Sequence, residues 1–387
     1  MQTGLIATIK REVYRLTGRK VYLFAMILVP LAVALFFLSL MSEGLPLKVP
    51  TAVVDLDNST VSRKLTRSLK AQPTTEVTME LTSFNEAIEK VRNGEIFGFF
   101  YIPRNLEKDA VAGNKPTITY YSNMTYFVPG TLAYKGFRTI AVSTSGMMAA
   151  SEVVQMGVDE STAQVLLQPV VIDVHGLGNP WTNYSYYLCN SFVPAALELM
   201  IFIVTVFSIC VEIKTGESRK WLACADGSII KALIGKLAPQ TLVFFIVGMT
   251  IDVLFFKYNH FPMNGSWCVM LLAMLLFVIA CQGFALFVTC AVPSLRMALS
   301  ICSLLGILAF SVAGFSFPVE QMYGAIGIFS YILPVRYYFL IYIDQALNGI
   351  PMYFSREYFA ALLVFAIAFI PLLFRLKKHL ARPVYLL

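Results

Sequence analysis

Reactive side chains are scarce in this chain. It has three histidines in 387 residues, His175, His260 and His379, and none joins a serine and a carboxylate in a recognisable triad. An enzyme of the membrane surface therefore has no residues to support it. The seven cysteines, Cys189, Cys210, Cys224, Cys268, Cys281, Cys290 and Cys302, show no CxxC spacing, and none falls between Glu43 and Leu188. That excludes a disulfide-stapled or zinc-holding domain in the intervening stretch. No GxxxxGKS or GxxxxGKT loop occurs; Gly235-Lys236 is followed by Leu237 and lacks the preceding glycine, so no nucleotide site is visible. Charge is sparse too, at 14% of residues.

What is abundant is apolar surface. With 57% hydrophobic residues and a mean hydropathy of +0.69, the chain reads as an integral membrane protein. The net charge of +7 does not indicate nucleic acid, because the basic residues cluster beside apolar runs. Orientation in the bilayer and anionic headgroups require that placement.

Residues 1–20 place Leu5, Ile9, Val13 and Leu16 on one helical face, with Lys10, Arg11, Arg15, Arg19 and Lys20 nearby to meet phosphate headgroups. We expect an amphipathic helix on the inner leaflet. No small-residue cleavage site precedes the polar turn after Met41, which argues against a signal peptide. A first span follows over 21–42, since about 20 apolar residues cross the hydrocarbon. Five further runs read as spans near Leu188–Val211, Leu237–Phe256, Trp267–Ala291, Met297–Phe315 and Phe359–Phe374. Gln282 and Gly283 suit close helix packing, and Arg296 marks an inside turn.

Between the first two spans, residues 43–183 change character: charge, proline and glycine return. Short β-like runs at Thr51–Val54, Val77–Leu81, Ile96–Ile102 and Thr117–Tyr121 alternate with helical ones at Ser62–Lys70, Phe84–Asn93 and Asn105–Ala112. Ser83 and Gly94 read as start and stop of the second helix. This is an α/β domain expected outside the cell membrane. A long helical stretch from Tyr126 to Gln168 follows, with Phe137, Ile140 and Ala141 on one face, then a strand at Val170–Val174 and a linker at Gly176, Gly178 and Pro180. Asp55, Asp57 and Asn58 form a strand-end turn rather than a calcium loop, which would need a glycine and a distal glutamate. Four Asn-x-Ser/Thr triplets carry no weight. Trp181, Tyr184, Tyr186 and Tyr187 mark an aromatic belt at the outer interface.

Two positions inside spans stand out. Glu198 lies near the middle of the second, where a carboxylate is costly; it lines a path, contacts a partner, or is protonated and hydrogen-bonded. Asp252 lies toward the outer end of the third. The most patterned stretch is Glu212–Pro239, basic through Lys214, Arg219, Lys220, Lys231 and Lys236, so its flanking spans enter the membrane from inside.

In that stretch Glu212, Thr215-Gly216, Trp221-Leu222, Ser228 and Gly235-Lys236-Leu237 follow one another in an order that resembles the coupling segment of type-two ABC exporter permeases. The resemblance extends over nearly the whole chain. Lys10-Arg11-Glu12 looks like the N-terminal helix of that family, and the Val53–Ser59 and Gly94–Pro103 runs resemble its exterior domain. Residues 318–347, with Pro318, Glu320, Pro334, Arg336 and Asp344, resemble its pair of short re-entrant helices. That segment is apolar yet too broken by proline and glycine to span; a further full span there would put Arg336 in mid-membrane.

The resemblance implies a polytopic α-helical membrane protein of six spans with re-entrant outer helices, plus an inserted α/β extracytoplasmic domain, with a second domain over 184–387. Residues 212–236 would couple to a separate ABC ATPase, which binds ATP and Mg; this chain itself would hold no cofactor. It implies a second permease subunit, a bacterial cytoplasmic (inner) membrane location with both termini cytoplasmic, and a small hydrophobic or amphipathic cargo. An extracytoplasmic adaptor and outer-membrane channel are further expected partners. The other reading is a non-transporting receptor or envelope scaffold built on a permease shell, which would have no need of the coupling pattern.

Overall fold

The computed structural model describes residues 3–40, 42, 44–159, 162, 179, 183–315 and 317–382. The strand expected at Val170–Val174, the linker glycines, His175 and Trp181 lie outside them. The chain forms two units, Met1–Gly44 with Gly176–Leu387, and Leu45–His175.

The Leu45–His175 unit is built on a four-stranded sheet, β1 (Val49–Asp55), β2 (Thr75–Leu81), β3 (Gly98–Ile102) and β4 (Thr119–Ser122), in the order β2-β1-β3-β4. β1 runs parallel to β2 and β3, and β4 closes antiparallel on β3. Strand alternation sends Val53, Phe100 and Ile102 to one face, where they meet Leu65 and Leu69. Ala52, Val54 and Phe99 go to the other, against Ala87. Both faces are covered, which is why β1 and β3 read as continuous apolar runs.

The first three helices of this unit follow the expected positions, and the fourth fills the Tyr126–Gln168 stretch as far as Gln155. They are α3 (Thr60–Lys70), α4 (Phe84–Arg92), α5 (Leu106–Val111) and α6 (Phe127–Gln155), numbered after α1 (Leu5–Gly18) and α2 (Lys20–Leu40) of the other unit. Ser59 caps α3 by accepting from Ser62 N. Ser83 occupies the N-cap of α4 without a side-chain bond. Phe137 and Ile140 of α6 pack into the sheet core. The Asp55 turn closes as expected: its Oδ1 accepts from Asp57 N at 2.9 Å and Asn58 N at 3.0 Å.

The other unit is helical. Among the described residues, α1 (Leu5–Gly18) precedes six helices long and apolar enough to cross a membrane: α2 (Lys20–Leu40), α7 (Tyr184–Lys214), α9 (Ile229–Tyr258), α10 (Trp267–Ala291), α11 (Leu295–Val312) and α14 (Met352–Ala381). Between α7 and α9 lies the short α8 (Ser218–Cys224). α12 (Gly324–Tyr331) and α13 (Pro334–Leu347) meet at 79°, a broken span or a re-entrant pair. α7 is the central element, packed on α2, α10 and α11. α10 packs on α14, and a side chain at Gly283 would collide with the Phe365 carbonyl, the close approach expected there. Asn183 caps α7 through Ser185 N at 2.8 Å.

α1 packs on the protein through one side. Its buried residues are Thr8, Glu12 and Leu16, whereas Leu5 and Val13 are exposed. Leu16 of the apolar stripe joins Thr8 and Glu12 against the protein, while Leu5 and Val13 face outward.

Candidate functional site

α1 packs along α9 because Gly235 leaves room. A side chain there would stand 2.7 Å from Cβ of Thr8. The next residue, Lys236, points between α1 and α7, fully buried. Its Nζ donates to Glu12 Oε2 at 2.8 Å and to Glu212 Oε1 at 2.6 Å. Glu212 also receives a two-pronged bond from Arg11, at 2.9 Å and 2.8 Å, and an ion pair from Arg15. Gln240, one turn beyond Lys236, donates to Glu12 Oε1 at 3.1 Å.

The cluster thus holds three cations and two carboxylates, a net charge of +1. Glu12, Glu212 and Lys236 are each at most 1% exposed. Buried charges persist only when paired and hydrogen-bonded, and here each carboxylate has at least two partners. Partial burial alone would lower the Arg11 pKa; its hydrogen bonds with Glu212 and the charge of that carboxylate outweigh burial and hold the guanidinium above its ordinary value. Lys236 also sits over the Trp221 ring, 4.5 Å from its centre, so α8 is tied to the same point.

The other residues singled out between 212 and 236 shape the segment around this cluster. Thr215 Oγ1 donates back to Val211 O at 2.9 Å. Gly216, at φ 71°, turns the chain out of α7; with open space around it, backbone freedom is its contribution. Trp221 and Leu222 are buried in a small core with Leu376 and Leu380. Ser228 caps α9 by accepting from Lys231 N. Ser218 Oγ donates to Leu380 O at 3.0 Å, and Arg219 Nε donates to Ala381 O at 3.1 Å. The outward face of the segment, Gly216, Lys220, Ala223, Asp226 and Lys231, stays exposed. Asp226 is held below its usual range by the Thr3 side chain and by Lys231 at 3.0 Å. Lys10 is exposed, but Arg11 and Arg15 are committed to Glu212 rather than turned outward to headgroups.

A second constellation fixes α13. Its first residue is Pro334, which suits a position whose N–H has no helical partner. The next amide, Val335 N, donates to Glu198 Oε1 at 3.1 Å. The Glu198 side chain therefore caps a broken helix by accepting from one of the N–H groups that the helix itself leaves unpaired. Cys281 Sγ lies 4.0 Å from the same oxygen. Asp252 Oδ1 accepts from Tyr338 OH at 3.4 Å, and Tyr338 stacks on Phe277 at 4.7 Å. Arg336 donates to Ala313 O at 3.2 Å and lies over Tyr331. Asp344 accepts from Ser355, which also accepts from Gln345 at 2.8 Å. Pro318 and Glu320, in the turn at Val319–Gln321, are exposed.

The structure therefore gathers Arg11, Glu12, Glu212, Trp221, Gly235 and Lys236 at one end of the helical unit, and Glu198, Asp252, Pro334, Arg336 and Asp344 around α13. Sequence reasoning passed over Gln240. Its spacing of four from Lys236 places both on one face of α9, the signal that would have found it.

A family model described as "ABC-2 family transporter protein" matches residues 20–375, which include both constellations except for Arg11, Glu12 and Arg15. No curated protein matches the chain. Covering most of the sequence, including all six candidate spans up to residue 375, the match establishes that the chain belongs to the ABC-2 family of transporters, as a multi-pass membrane component whose family implies an ABC ATPase partner.

Proposed function

We propose that this permease is an exporter subunit of the cytoplasmic membrane, working as a dimer with a separate ATPase that binds ATP and Mg. The observation that carries the reading is the buried charge cluster joining α1, α7 and α9 to Trp221 of α8. Rigid, paired and dry, it makes the three helices and the exposed face of residues 212–236 move as one body. ATPase closure would press that face, and α7 would carry the displacement to Glu198 and the cap of α13. The 79° pair is then a re-entrant outer gate, with Pro318, Glu320 and Arg336 at its margins. In this arrangement the basic end and both termini lie in the cytoplasm, and residues 43–183 lie outside, where an adaptor leading to an outer-membrane channel would dock. The cargo is a small hydrophobic or amphipathic molecule taken from the cytoplasm or inner leaflet.

The test is co-purification from native membranes, followed by ATPase assay of the complex beside a Lys220→Glu, Ala223→Glu variant. Both positions are exposed, so folding survives the change. An ATPase that accompanies the wild type and is lost from the variant supports the reading. Purification of both proteins without any ATPase turns the assignment toward a receptor or scaffold.

A further inference from the structure

A cavity of about 900 Å³ opens among the start of α7, the end of α11 and the last turns of α13. Its size suits a small-molecule ligand. Among the described residues, five aromatic rings line it, those of Tyr186, Tyr187, Phe315, Phe339 and Tyr342, together with four asparagines, and none of the described lining residues carries a formal charge. The walls are fixed: Tyr187 OH donates to Phe315 O at 2.9 Å, and Phe315 meets Phe339 edge-on at 4.6 Å.

Two of the asparagines have structural work. Asn264 Nδ2 donates to Leu347 O at 2.6 Å, and Asn179 exchanges bonds with the Asn183 backbone at 2.8 Å. Asn190 differs. It is 2% exposed, and neither its Nδ2 nor its Oδ1 has a hydrogen-bond partner among the described residues. The Tyr342 side chain, also 2% exposed, faces this amide, and its hydroxyl can engage one of the amide's positions. A carboxamide offers two donors and two lone pairs, so one hydroxyl cannot use them all. Buried polar groups ordinarily have partners; two unpartnered ones in the wall of one cavity point to a ligand.

We infer that this cavity binds the head of a neutral amphiphile carrying hydroxyls and no charge, a sugar-headed lipid or alkyl glycoside, with Asn190 and Tyr342 bonding the head and the rings flanking it. Charge is disfavoured because none of the described residues in the wall would compensate it. Hydroxyls match both unspent groups, and aromatic faces pack against the C–H faces of a sugar ring. This deepens the exporter reading by naming a cargo class, but binding here needs neither ATPase nor ATP. Its failure is therefore separable from loss of the ATPase partner.

The experiment is equilibrium binding of radiolabelled octyl β-glucoside, below its micellar concentration, to the full chain in nanodiscs, with empty discs subtracted. The expected result is saturable binding, displaced by unlabelled octyl glucoside but not by octyl sulfate, octylammonium or free glucose at equal concentration. Asn190→Leu and Tyr342→Phe should each weaken it about tenfold, since the bound hydroxyl then lacks its partner. Neither variant should melt below wild type, because each removes a buried group whose hydrogen bonding is incomplete. Two variants keep the test alive should one fail to fold. Non-saturable partition, equal displacement by the charged amphiphiles or by free glucose, or unchanged affinity in a folded variant would overturn the inference.

Discussion

Lys236→Met tests the charge cluster at its centre. The substitution keeps the length of the side chain and removes the ammonium that bridges two carboxylates. Glu212 retains Arg11 and Arg15. Glu12, 1% exposed, is left with a single neutral donor, Gln240 at 3.1 Å. Removing one member of a buried ion pair costs about 3–5 kcal/mol because the abandoned charge stays buried. We therefore expect Lys236→Met to lose about that much. Glu12→Gln added to it relieves the stranded charge, so the double variant should recover about 1–3 kcal/mol relative to the sum of the two single effects. The assay is reversible unfolding in mixed micelles at rising SDS fraction, read for the four members of the cycle. A Lys236→Met protein as stable as wild type, or strictly additive effects, would refute the idea that these charges act as one unit.

Other substitutions probe separate parts. Glu198→Gln preserves an acceptor for Val335 N and should leave stability nearly unchanged, whereas Glu198→Leu strands that amide at a cost of about 1–3 kcal/mol; hydrogen exchange at Val335 distinguishes them. Gly235→Val collides with Thr8 and should lift α1 from α9, seen as faster proteolysis within residues 3–18. Gly216→Ala forces a side chain into φ 71° and should cost about 1 kcal/mol, measurable as a small shift in the same unfolding curve. Asp226 sets a pH dependence: because its folded pKa is depressed, its stabilising link to Thr3 and Lys231 is present above the unfolded value of about 3.9 and lost as pH falls through the lower folded value. Amide exchange in residues 3–8 should accelerate in that acidic window for wild type, and be equally fast at neutral pH in Asp226→Asn.

Much of the architecture was legible because long-range physics did not decide it. The fourth candidate span was bounded correctly at Trp267–Ala291, since apolar length reports directly on bilayer thickness. The four described strands of the Leu45–His175 unit were placed within two residues, because turn residues and short apolar runs punctuate them clearly. Charge pairing was not legible. Glu12 and Lys236 lie 224 positions apart, and no local pattern announces that they meet. Arg15 shows the same limit: on the helix it stands among residues that suit headgroups, and only the arrival of Glu212 makes it an interior cation. Glu198 was recognised as costly, but its partner, a backbone amide of a broken helix, carries no side-chain signature.

The most direct measurement of the coupling account is site-specific cross-linking from Ala223→Cys, an exposed position on α8. The cysteine would carry a short photoactivatable label in native membranes, in a background where Cys268, the exposed native thiol, is replaced by serine. The account predicts an adduct with an ATP-hydrolysing chain, its yield changing when ATP is bound. Adducts only with lipid or with other copies of this chain would contradict it.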